Sequence, residues 1–243
     1  CIAVVSGKGG TGKTSLTAGV GTALASSGKK VLCVDCDIGL RNLDISLGLT
    51  DHCPLSFLDV LEGGYSLKDA TTHPDFPALH FLTAPMDCPA DSIDPVAFGA
   101  MLRQARKQFH YILLDAPAGI DLGFRLCASH ADRVILVTCP EPAAVRDAGR
   151  AGEVLELMGK ADVRLIVNRV SDKIVSALKL TIDDVMDTAG LPLVGIVPED
   201  PNVIFAAACA KPTVQFKKRT AAVKAYQRIA NRIQGLPEPI TLR

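Results

Sequence analysis

The chain has 243 residues and no tryptophan, and aromatic side chains make up 5% of it. A nucleic-acid surface built on stacked aromatic platforms is therefore not expected. Neither sign of charge is in excess, since 26 Lys and Arg balance 26 Asp and Glu. A zero net charge argues against broad, sequence-independent binding to DNA, although acidic residues elsewhere can mask a local basic patch. No apolar run approaches the ~20 residues of a membrane-spanning helix, and no secretory leader is visible. A cytoplasmic protein is the expectation. Cys1 is followed at once by a strand pattern, so the numbered chain is expected to be trimmed at its start. The eight cysteines show no disulfide or zinc framework. Most sit in apolar runs, such as Cys33 in VLCVD, Cys139 in ILVTC and Cys209 in AAACA, and read as small buried hydrophobes in a reducing compartment. Cys33 and Cys36 form a C-x-x-C, but no second pair lies at zinc spacing.

What is present is an alternation of strands and helices. Continuous Val/Ile/Leu runs predict strands near Ile2–Ser6, Lys30–Asp35, Leu79–Thr83, Tyr111–Asp115, Arg133–Thr138, Arg164–Asn168 and Leu193–Val197. Helical periodicity lies between most of them, as at Pro95–Phe109, Ala143–Met158 and Thr181–Ala189, and a last helix spans about Arg219–Gln234. Unbroken apolar strands suit a parallel sheet covered on both faces. Right-handed crossovers then give an α/β, three-layer, doubly wound and mostly parallel sheet. The stretch Thr50–Pro89 reads as an elaborated connection, and residues 1–243 are expected to form a single domain.

The first strand runs into Gly7-Lys-Gly-Gly-Thr-Gly-Lys-Thr14. Gly7, Gly12, Lys13 and Thr14 fill the fixed places of G-x-x-x-x-G-K-[ST], the phosphate-binding loop, between a strand and a helix as the motif requires. Glycines let backbone N–H groups approach phosphate oxygens, and the helix N-terminus adds its dipole at the same point. Gly9, Gly10, Thr11, Gly12, Lys13, Thr14 and Ser15 are the expected nucleotide contacts. Lys13 supplies charge for the outer phosphates and Thr14 a hydroxyl for magnesium. Polar motifs at the carboxyl ends of other strands would gather round this loop. The second strand ends in Asp35-Cys36-Asp37. Asp37 is assigned to orienting the attacking water, and Asp35 to the magnesium shell or the loop. The apolar run before Asp115 is a Walker B layout, placing Asp115 on the metal through water.

Lys8 is a second lysine at the start of the loop. The run Lys8-Gly9-Gly10-Thr11-Gly12-Lys13-Thr14 resembles the deviant Walker A motif of the MinD/ParA/nitrogenase iron-protein group. The segment DCDIGLRNLD from Asp35 to Asp44, the DAPAG from Asp115, and Pro140, Glu141, Val145, Arg146 and Asp147 resemble, over nearly the whole chain, the septum-site-determining ATPases of that group. The resemblance implies a P-loop ATPase that hydrolyses ATP to ADP and phosphate with Mg²⁺. It implies a homodimer when ATP is bound, with Lys8 crossing to the partner's phosphates. It matches Asn168 to an adenine-contacting asparagine, and Pro198, Glu199 and Asp200 to the loop flanking the purine. It also implies a MinC-like division inhibitor, a MinE-like or other spatial regulator, and peripheral inner-membrane association through a C-terminal amphipathic tail. Pro237 and Pro239 break any continuous helix at the chain's end, so that tail is not expected within residues 1–243.

Three neighbouring readings use similar loops. DNA-segregation ATPases of the ParA type tend to carry D-P-Q-G-N after the second strand, which this chain does not. Iron–sulfur reductase components hold a cluster with placed cysteines, whereas Cys127 falls inside a helical pattern. Flagellar-number regulators share the D-x-G-L pattern but usually lack Arg-Asn at the places of Arg41 and Asn42.

Overall fold

A computed structural model of the protein describes residues 1–52, 54–86, 88–89, 92–171, 175–177 and 180–241. Its strands are β1 (Ile2–Ser6), β2 (Val31–Asp35), β3 (Thr71–Thr72), β4 (Leu79–Leu82), β5 (Tyr111–Ala118), β6 (Arg133–Thr138), β7 (Val163–Val170) and β8 (Leu193–Pro198). They form one sheet in the order β3-β4-β2-β5-β1-β6-β7-β8, parallel throughout except that β3 runs antiparallel to β4. The helices are α1 (Lys13–Ser26), α2 (Leu43–Leu47), α3 (Phe57–Leu61), α4 (Pro95–Ala105), α5 (Leu122–His130), α6 (Pro142–Leu157), α7 (Ile182–Ala189), α8 (Pro201–Ala208), α9 (Thr213–Phe216) and α10 (Ala221–Ile233).

Every residue of β1 and β2 is buried, because both faces of the sheet are covered. Successive side chains of a strand point to opposite faces. Ala3 and Val5 accordingly join the layer containing Phe57, Phe98, Phe124 and Leu155, whereas Ile2 and Val4 join the layer containing Leu16, Leu24, Tyr226 and Ile229. Helix α1 lies so close to α10 that a Cβ at Gly19 would collide with the Tyr226 ring. The apolar stripe of α10 is buried, and the Thr220 side chain caps its first turn.

The seven strands expected from the sequence are present, two with the expected bounds and the others with ends shifted by up to three residues. The eighth, β3, is a two-residue edge, too short to show periodicity. The short helices α2 and α3 were not expected. A capping box formed by Ser56 and Asp59 starts α3, and Asp94 with Pro95 at the first position starts α4. Helix α4 ends at Ala105, not Phe109. Cys127 is fully buried within α5. Among the described residues, no helix is long and apolar enough to cross a membrane. Leu242 and Arg243, the end of the proline-broken tail, lie outside the described residues.

Candidate functional site

Strand β1 feeds the glycine loop, and α1 starts immediately after it. Gly12 is the N-cap of α1 at φ 81°, and no side chain caps the helix. Its first N–H groups therefore remain available to an anion. Gly10 is also left-handed, at φ 79°, a conformation glycine adopts without penalty. The loop is held tightly from two sides. A Cβ at Gly7 would collide with the Asp147 carbonyl of α6, and a Cβ at Gly12 with the Asn168 amide nitrogen of β7. The Thr11 hydroxyl is buried without a hydrogen-bond partner, and Thr14 and Ser15 are half-buried. Lys8 is exposed and makes no hydrogen bond or ion pair among the described residues.

The register of the sheet sets Asp35 of β2 directly opposite Asp115 of β5. Asp115 is almost fully buried, and its Oδ1 accepts from Lys13 Nζ at 3.1 Å and from the Thr17 hydroxyl at 3.0 Å. Lys13 is itself only 6% exposed, so the two charges compensate each other where neither has water. Asp35 is fully buried. Its Oδ1 accepts from the Asp37 N–H at 2.9 Å, and its Oδ2 from those of Asn42 and Leu43 at 3.2 and 3.1 Å. None of these bonds reaches the phosphate loop; all of them hold the segment between β2 and α2. Burial, and then the Asp115 charge, push its carboxyl up to about 7. Burial also raises the half-buried Asp37; nearby Lys13 opposes that shift and Asp115 adds to it. Arg41, in the same segment, has φ 39° and a buried Nε without a partner.

Beyond the loop lies a cleft of about 990 Å³ whose lining includes Gly12, Asn168, Arg169, Pro198, Glu199 and Tyr226. Asn168 is buried. Its Nδ2 donates to the Thr11 carbonyl at 2.7 Å, and its Oδ1 accepts from the Arg169 N–H at 2.9 Å. An amide offers two donor hydrogens and two acceptor lone pairs, so capacity remains for a base edge. Asp200 also lines the cleft but is occupied as a cap. Its Oδ1 accepts from Asn202 at the start of α8, and its Oδ2 from the Ala222 N–H of α10 at 3.1 Å. Burial alone would raise its carboxyl, but hydrogen bonds from Ala222, Asn202 and Thr220 outweigh that and hold it below the usual range. Arg169 was missed in the sequence. It has φ 56°, its Nη1 donates to the Gly10 carbonyl at 3.2 Å, and its Nη2 lies 3.7 Å from Glu199.

An anion seated at the start of α1 would meet uncapped N–H groups and the Lys13 ammonium, backed by Asp115. The unpartnered Thr11 hydroxyl and open helix terminus fit a phosphate chain, and Thr14 and Asp115 supply oxygens suited to the hard cation that accompanies one. This is the site of a P-loop nucleoside triphosphatase. A family model described as "CobQ/CobB/MinD/ParA nucleotide binding domain" matches residues 2–214. The septum site-determining protein MinD of Synechocystis is 38% identical over 240 residues, covering 98% of this chain and 90% of that protein. The MinC:MinD cell division protein complex of Aquifex aeolicus superposes with a TM-score of 0.90 at 38% identity, covering 99% of this chain and 97% of that one. MinD of Pyrococcus horikoshii, solved with Mg-ADP, superposes with a TM-score of 0.83 at 30% identity, covering 96% and 94%. The chain belongs to the MinD septum site-determining ATPases of this nucleotide-binding family. The fold class and the ATP-hydrolysing activity read from the motifs therefore stand.

Proposed function

We propose that this ATPase works as a nucleotide-controlled switch in which two ATP-bound copies pair face to face and part after hydrolysis. The observation that carries this reading is the contrast between two lysines of one loop. Lys13 is buried against Asp115 of its own chain, whereas Lys8 is exposed and unpaired among the described residues. A cation that its own site leaves free is available to a second copy's phosphates.

Within each copy, the glycine loop binds the phosphate chain through backbone N–H groups, and Lys13 shares its charge between Asp115 and the outer phosphates. Thr14 and Asp115 would hold magnesium, which when bound neutralises phosphate charge. Asp37, close enough to feel both Lys13 and Asp115, orients the attacking water by accepting its hydrogen bond. Asp35 fixes the segment that carries Asp37, Arg41 and Asn42, so loss of the terminal phosphate is felt there. Pairing then depends on ATP binding the dimer more tightly than ADP does. On the base side, Asn168, Pro198 and Glu199 receive the adenine.

A MinC-like division inhibitor is the partner favoured by the similarity to a MinD solved with MinC. A MinE-like regulator and peripheral membrane association through an amphipathic tail complete the reading. Lys8→Ala should bind Mg-ATP as the parent does but remain monomeric with ATP by light scattering after size exclusion. Normal ATP-dependent dimerisation of that variant would remove the crossing lysine from the mechanism.

A further inference from the structure

Two consecutive carbonyls of the phosphate loop are held from outside by two consecutive residues of β7. Asn168 takes the Thr11 carbonyl at 2.7 Å and Arg169 takes the Gly10 carbonyl at 3.2 Å. In a planar trans peptide the N–H points opposite to the C=O. Drawing these two carbonyls toward β7 therefore turns the N–H groups of Thr11 and Gly12 to the other side of the loop, away from β7. An unanchored glycine-rich loop would sample many orientations, and ordering it at the moment of binding costs affinity.

The geometry points to Arg169 as a positioning residue that holds the phosphate loop in its anion-binding conformation, acting on the phosphates through the backbone and not on the base. This rests on the nucleotide reading given above. The arginine adopts a left-handed backbone at φ 56°, which is unfavourable for a residue with a Cβ. Its N–H also donates to Asn168 Oδ1 at 2.9 Å, so backbone and side chain together tie β7 to the loop. Glu199 steadies the guanidinium from the far side at 3.7 Å. Glu199 is itself fixed to β7, since its N–H donates to the Val170 carbonyl at 2.9 Å. Arg169 thus bridges the phosphate loop and the loop after β8.

The arginine is 48% exposed and Glu199 43%, so water screens part of the effect. Removing one charge-assisted bond of this kind should weaken nucleotide binding about fivefold. The test measures Mg-ADP affinity by calorimetry and Mg-GDP affinity by competition against it. Arg169→Ala and Arg169→Gly should each weaken both nucleotides by the same factor, leaving the ADP:GDP ratio unchanged. Arg169→Lys should fall between these and the parent. Glu199→Gln, which withdraws the outer anchor at a residue that also faces the base, should give a smaller loss of Mg-ADP affinity than Arg169→Ala. Unchanged affinity in Arg169→Ala would overturn the inference. So would a loss confined to ADP, which would make Arg169 a base contact, or parental affinity in Arg169→Gly, which would assign the effect to the backbone alone. A parent chain that binds neither nucleotide would instead defeat the functional reading.

Discussion

On the phosphate side of the cleft, three charged groups are buried and bonded at short range: Lys13 to Asp115, Asp115 to Thr17, Asp35 to three backbone N–H groups. On the base side, the charged pair Arg169 and Glu199 is almost half exposed and 3.7 Å apart, and recognition falls to one buried amide and the backbone of a proline turn. These three groups are over-determined, because Lys13, Asp115 and Asp35 each have partners whose loss would leave a buried charge. The base side is loose, so it can admit and release a base without dismantling the core. Strength is concentrated where the chemistry is, and adjustability where the ligand enters.

The comparison breaks first at Lys13. Lys13→Ala leaves Asp115 buried with only the Thr17 hydroxyl, and removing one partner of a buried pair costs on the order of 3–5 kcal/mol. ATP hydrolysis should vanish and the melting temperature should fall. Adding Asp115→Asn should restore part of the stability but none of the hydrolysis. Hydrolysis that survives Lys13→Ala would show that the buried pair is scaffold only.

Gly12 sharpens the boundary between the halves, since it is left-handed and lies against Asn168. Gly12→Ala forces a backbone cost of roughly 1–3 kcal/mol and pushes the loop from β7. Mg-ADP affinity measured by calorimetry should fall about tenfold or more. Parental affinity would mean that the contact between the loop and β7 does not set binding.

A smaller effect concerns pH. The Asp35 carboxyl is raised to about 7 in the folded chain, above its unfolded value of about 4. Between those values the folded state binds the extra proton. This group's contribution to stability is therefore full below about pH 4 and is lost as pH rises through about 7. Urea midpoints of the nucleotide-free protein should carry a downward component across that window, and Asp35→Asn should flatten it. An identical slope in the variant would place the titration elsewhere.

The same contrast explains what could be read before the fold was known. The glycine loop, Lys13 and Asp115 are residue types whose chemistry needs a fixed spacing or a strand end, so spacing alone nominates them. The interior strands were visible as unbroken apolar runs because both sheet faces are covered. Asp35 and Asp37 could be given separate roles from their place at the strand end, but the partners of Asp35 could not be read, because they include N–H groups seven and eight residues further along at Asn42 and Leu43. Asp200 looked like a base-loop residue, and its bond to Ala222 spans 22 residues. Asn168 was nominated only by resemblance. Arg169 carried no signal at all, since its role depends on a left-handed backbone that an arginine does not advertise.

Calorimetric titration with ATP, with and without magnesium, tests the centre of the account most directly. The buried pair behind an uncapped helix predicts saturable, magnesium-dependent uptake of one ATP per chain, abolished by Lys13→Ala. Absence of heat and of saturation in the parent chain, under conditions where it is folded, would contradict it.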